Sequence, residues 1–183
     1  MKILGGKYKG RNFYMPEGIR PTQNILRQAV FDLIGHNLEG LSFLELYAGS
    51  GAVSLEAISR GASEVVIVEH NDLNAKTIQE NCELLGIDLG DSYRLIHADA
   101  LATLKRLSEE KKQFDVVFFD PPYGRKLAKK TLKLVITRDI LHPQSLVIVQ
   151  CDRSESLEAP EGFKVLTQRR YSSSYLMILQ RMV

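Results

Sequence analysis

Four consecutive residues, Asp120-Pro121-Pro122-Tyr123, place a carboxylate, two rigid imino acids and an aromatic ring directly after the apolar run Phe114 to Phe119. Asp120 can accept a hydrogen from an amine. The prolines fix φ and leave their carbonyls without a local N–H partner, and Pro121 keeps Asp120 out of the helical region. Tyr123 can stack on a flat ring. Together these groups suit the holding of a planar ring that carries an amino group. An ordinary strand-to-helix turn uses the same residue types, so the tetrapeptide needs support from the rest of the chain.

That support comes from three further stretches with acids at expected strand ends. Glu45-Leu46-Tyr47-Ala48-Gly49-Ser50-Gly51 reads as a strand, a tight glycine turn and a helix start, a backbone that a ligand can approach closely. Ser54 stands where a dinucleotide fingerprint needs its third glycine. Glu45 would repel a pyrophosphate, so a cationic ligand fits better. Glu69 follows the second strand, where an acid can accept both hydroxyls of a ribose. Asp99 follows the third and can receive an adenine amino group, with Ala100 offering its backbone N–H. A ligand with a ribose, an adenine, an ammonium and a sulfonium matches this set, which points to S-adenosylmethionine.

The elements that must position these groups alternate. An apolar stripe, Ile25, Leu26, Ala29, Val30, Leu33 and Ile34, predicts a helix capped by Thr22, with Arg27 off its centre and able to face a ligand. Strands are expected over 41–46, 65–68, 93–97, 114–119 and 146–150, with helices over 50–59, 72–85, after the third strand through Leu107, and 125–137. Repeated β/α units imply right-handed crossovers and a parallel sheet covered on both faces. Two last strands, 164–171 and 175–180, form an antiparallel hairpin around Ser172-Ser173-Ser174. The reading is one α/β domain over 1–183, with 1–20 as a basic N-terminal extension, a hairpin or an arm.

Composition is that of a soluble globular protein, 44% hydrophobic and 25% charged. No apolar run is long enough to span a bilayer, and the N-terminus lacks a signal-peptide core. Cys82 and Cys151 suggest buried small hydrophobes rather than a disulfide or metal site, and the cytoplasm is the expected compartment. The net charge of +2 hides an asymmetry: six basic groups and one acid in residues 1–27, seven and sixteen in 28–124, six and none in 125–138. Two basic blocks around an acidic body suggest a polyanion. Lys7, Lys9, Arg11 and Arg20 in the first and Arg125 and Lys126 in the second are the expected phosphate contacts, with Tyr8 as a candidate stacking ring.

The strand-one loop, Glu69, Asp99 and the Asp120 to Tyr123 tetrapeptide resemble those of class I S-adenosylmethionine-dependent amino-methyltransferases. More closely, Ile3 to Arg11, Ile19 to Phe31, Glu45 to Gly61, Val65 to Glu69 and Asp120 to Tyr123 are similar to the bacterial 16S ribosomal RNA guanine-N2 methyltransferases. The chain has Glu45-Leu46-Tyr47 where that family has Asp-Leu-Phe, and no role is assigned to Asn24 or Gln28. The resemblance implies a Rossmann-like seven-stranded sheet. It also implies methyl transfer to the exocyclic N2 of a guanine in 16S ribosomal RNA, in the small ribosomal subunit or its assembly intermediate; a monomer is the default expectation, with no metal and no membrane partner. Asp120, Pro121, Pro122 and Tyr123 would be catalytic; Glu45, Tyr47, Ala48, Gly49, Ser50, Gly51, Glu69, Asp99 and Ala100 would hold the cofactor. The rivals are a DNA adenine or cytosine amino-methyltransferase, a methyltransferase of small or protein amines, and a catalytically silent RNA-binding assembly factor.

Overall fold

The computed structural model describes residues 1–16, 24–122, 126–155, 157–171 and 174–182. Seven strands form one sheet: β1 Ser42–Leu46, β2 Glu64–Glu69, β3 Tyr93–His97, β4 Phe114–Phe119, β5 Leu141–Asp152, β6 Phe163–Arg170 and β7 Ser174–Arg181. Their order is β3-β2-β1-β4-β5-β7-β6. β1 to β5 run parallel, and β7 pairs antiparallel with both β5 and β6. The helices are α1 Asn24–Ile34, α2 Ala52–Ser59, α3 Asp72–Leu85, α4 Ala100–Glu109 and α5 Leu127–Thr137. One core joins Phe31 of α1, Leu55 of α2 and Ile78 of α3 to Phe43, Ile67 and Phe118 of the sheet. The other joins Leu104 of α4 and Leu132 of α5 to Leu44, Val68 and Phe119. Alternate residues along each strand feed opposite cores, so near-continuous apolar strands are what a sheet covered on both faces requires.

Several expectations change. β5 begins five residues early, because a bulge around Pro143 and Gln144 (φ 63°) interrupts the pairing with β4 between Leu141 and Leu146. Proline and polar residues there broke the apolar run that marks the rest of the strand. In α1 the buried face is Leu26, Arg27, Val30 and Phe31, while Ile25 and Leu33 are exposed. The helix is therefore turned away from its most apolar stripe, and Arg27 faces the core rather than a ligand. The expected cap Thr22, with Arg20 and Pro21, lies outside the described residues, as does the Ser172-Ser173 turn.

The N-terminal residues form a short hairpin, with Lys2 bridged antiparallel to Asn12, docked on the domain. Ile3, Tyr8 and Phe13 are buried in the first core. The Lys7 N–H donates to the Ser59 carbonyl (2.6 Å), and Ser59 Oγ accepts from the Tyr8 N–H and donates to the Gly5 carbonyl. Such close approach demands glycine. A Cβ on Gly6 would lie 1.8 Å from the Ser59 carbonyl oxygen, and one on Gly5 2.5 Å from the Arg60 guanidinium. Beneath the loop sits a buried ion cluster. Glu56, 0% exposed, accepts from Arg60 (2.8 and 2.9 Å) and the Leu4 N–H, and Arg27 approaches it to 3.7 Å.

Candidate active site

The strand order reverses between β1 and β4, and ligands of such sheets bind at the carboxyl ends there. Phe43, Ile67 and Phe118 lie in one core, so two positions on, Glu45, Glu69 and Asp120 project on that same face. Three acids from three adjacent strands thus meet at one rim. The sequence placed them at strand ends; the register makes them neighbours.

Glu45 is 2% exposed, and its Oε2 accepts the Ser54 N–H in the first turn of α2 (2.8 Å). Its carboxyl is pushed up to about 7: burial raises it most, the Ser54 hydrogen bonds pull it back in part, and the Glu69 and Asp120 carboxylates add to the rise. A cation beside it would remove both penalties. Glu69 is also buried. Its Oε2 accepts from the Gly49 N–H (2.7 Å) and its Oε1 from the N–H groups of His70 and Asn71 (2.9 and 2.8 Å). A carboxylate offers about four acceptor sites, so roughly one remains.

The loop between them is backbone in a left-handed path: Tyr47 φ 58°, Gly49 φ 57° and Gly51 φ 71°. A bulky residue there is unusual. Tyr47 is held by its hydroxyl, 2.8 Å from Thr131 Oγ1 of α5, so its ring is committed to α5 and only its backbone belongs to the loop. Ala48 and Ser50 are buried. Asp99 is exposed and caps α4 by accepting the Ala102 N–H (2.9 Å). Ala100 opens that helix, where an N–H has no intrahelical acceptor.

On the β4 side, Asp120 is half-buried, Pro121 buried and Pro122 exposed. Tyr123 and Arg125 lie outside the described residues. Lys126 leads into α5 with φ 51°, and it is exposed with Lys129 and Lys130.

Two arginines of the first basic block serve the fold: Arg27 is buried beside Glu56, and Arg11 is tied to α3. The Arg11 guanidinium donates to the Leu84 and Leu85 carbonyls at the end of α3 (2.6 and 3.1 Å). Tyr8 is buried with the Lys7 ammonium 5.0 Å from its ring centre, which corrects its reading as an open stacking ring. Lys7 and Lys9 remain exposed. The topology also gathers arginines that lie apart in the sequence order. Pairing of Asp152 with Ser174 and of Arg170 with Tyr175 brings exposed Arg153, Arg169 and Arg170 to the rim that Asp120 occupies. Only knowledge of the strand directions could have found them.

Fold and site define an S-adenosylmethionine-dependent methyltransferase of class I. A family model described as "Conserved hypothetical protein 95" matches residues 1–180, and the chain belongs to that family. It is 28% identical over 171 residues to the ribosomal RNA small subunit methyltransferase D of Haemophilus influenzae, covering 92% of this chain and 88% of that one. A hypothetical protein of Thermus thermophilus has a solved structure similar to it with TM-score 0.82 at 28% identity, over 100% of this chain and 99% of the other. The fold also matches a SAM-dependent methyltransferase of Agrobacterium tumefaciens (TM-score 0.64, 22% identity, 90% and 63% covered). Among the described residues no helix is long and apolar enough to cross a membrane.

Proposed function

We propose that the protein transfers a methyl group from S-adenosylmethionine to the exocyclic N2 of a guanine in 16S ribosomal RNA, within the small subunit or its assembly intermediate. The observation that carries this reading is the meeting of Glu45, Glu69 and Asp120 at one rim, beside the Asp120-Pro121-Pro122 corner. The naming of a relative as a small subunit ribosomal RNA methyltransferase supports the substrate class. When bound, the cofactor supplies a methyl group on a sulfonium. Glu45 would hold its ammonium side, because a cation relieves the buried carboxyl. Glu69 and Asp99 would hold the sugar and the adenine, and the Gly49 to Gly51 backbone lets them approach.

The guanine amine is a weak nucleophile, since its lone pair is delocalised into the ring. Asp120 and the Pro121 carbonyl each accept one amine hydrogen, favour a pyramidal nitrogen and aim its lone pair. Such positioning can lower a barrier by roughly 7–11 kcal/mol. Extruding the base costs a few kcal/mol, and stacking on Tyr123 would return roughly 1–3 kcal/mol. Lys126, with Arg20 and Arg125, would grip phosphates around the base, and exposed Lys7 and Lys9, whose loop docks on Ser59 at the far end of α2, would hold more distant RNA backbone. The test uses tritiated cofactor with small subunits from cells lacking the protein, free RNA, DNA and protein. Label on a guanine of the subunit is the expected result, and label on DNA or protein alone would overturn the reading.

A further inference from the structure

Gln150 has no part in the chemistry above, yet it occupies a telling position. Phe119 pairs with Val149 in the parallel register of β4 and β5, so Asp120 and Gln150 are the next residues on adjacent strands, about 5 Å apart along the sheet. Phe118 and Ile148 lie in the same core; two positions on, Asp120 and Gln150 share that face. Gln150 is 3% exposed, and its Oε1 is buried with no hydrogen-bond partner among the described residues. A buried unpaired amide oxygen is destabilising, so a donor that arrives only with a ligand would account for it. Glu45 and Glu69, at 2% and 4% exposed, are buried to the same depth at this rim.

We propose that Gln150 reads the Watson–Crick edge of the substrate guanine, an inference that rests on the guanine-N2 reading above. That edge presents, in order, the N2 amine, the N1–H donor and the O6 acceptor. With the amine on Asp120, the N1–H is the next donor along the edge, and Gln150 Oε1 is the next acceptor along the rim. The amide Nε2 then donates to O6. Adenine and cytosine offer no N–H beside their exocyclic amine, so the pair selects for guanine. A matched amide–base pair of this kind is worth roughly ten- to a hundredfold in discrimination.

The test replaces the methylated guanine, once located in the subunit RNA, by 2-aminopurine, which keeps the target amine but lacks N1–H and O6. The wild-type protein should lose roughly ten- to a hundredfold in kcat/KM on the analogue. Gln150→Leu should lose as much on guanine, lose nothing further on the analogue, and bind the cofactor normally. Gln150→Glu keeps the size and the acceptor; it should fall between the two and provides the same comparison if the leucine variant does not fold. Equal use of guanine and 2-aminopurine by the wild type, or an undiminished preference in both variants, overturns the proposal while leaving guanine methylation standing. Absence of any guanine methylation by the wild type overturns both.

Discussion

Two glutamates eleven residues apart are both buried, and they differ in what surrounds them. Glu56 sits between Arg27 and Arg60 and accepts the Leu4 N–H: its charge is answered from inside the chain. Glu45 has the Ser54 N–H and then two more acids, Glu69 and Asp120. The first arrangement is a clamp that joins α1, α2 and the N-terminal loop. The second is a receptor whose counter-charge must come from outside. Burial alone therefore does not distinguish a structural acid from a functional one; the sign of its neighbours does.

The largest effect should come from breaking the clamp. Glu56→Ala removes the carboxylate that two buried guanidinium groups share and should cost about 3–5 kcal/mol of stability in denaturant unfolding, with cofactor affinity per folded molecule little changed. An equal loss from Glu45→Gln would erase the contrast. At the rim, Asp120→Ala should lower single-turnover methyl transfer by about a thousandfold or more and leave cofactor binding near wild type. Normal activity in that variant discards the mechanism.

Glu45→Gln should weaken the cofactor by roughly ten- to a hundredfold without destabilising the free protein, because it removes a charge the fold itself does not compensate. The pH dependence follows from the same group. Its folded value of about 7 lies above the ordinary carboxyl value, so the folded state holds an extra proton between roughly pH 4.5 and 7. Stability of the free protein should thus fall as pH rises through that window. Cofactor affinity should rise over the same window and level off above it, since the ligand favours the ionised carboxylate. Calorimetric titration of wild type and Glu45→Gln checks this; a flat wild-type profile would contradict it.

A smaller pair of effects separates the two basic blocks. Arg11→Ala should cost about 1 kcal/mol of stability, since its guanidinium satisfies the end of α3. Neutralising Lys126, Lys129 and Lys130 should leave stability alone and reduce the salt slope of RNA binding by about 0.7 for each phosphate no longer neutralised. An unchanged slope would move the RNA surface toward Arg153, Arg169 and Arg170.

Much of this was legible in advance where the signal is local. Strand–glycine–helix at Leu46 to Ser54, the cap of α3 at Gly86 and the acids at strand ends are short-range patterns, read from a few neighbouring residues. What failed was non-local. Arg27 looked available because its partner Glu56 is 29 positions away, and Tyr8 looked like a stacking platform because nothing nearby announces that Ser59 will receive its loop. The bulge before Leu146 was lost because Pro143 looks like a strand's end.

The order of residues by itself determined the β/α alternation, the rigid Asp120 corner and the choice of glycine where backbone must pass close. These depend on torsional limits and on periodicities of two and 3.6. Only the tertiary structure decided which acids stand together, which arginines are consumed in the interior, and that Gln150 lies beside Asp120. Those facts come from strand order and register, which bring Glu45, Glu69, Asp120 and Gln150 from four separate stretches of the chain to one rim, and Coulomb forces act on distance in space rather than along the chain.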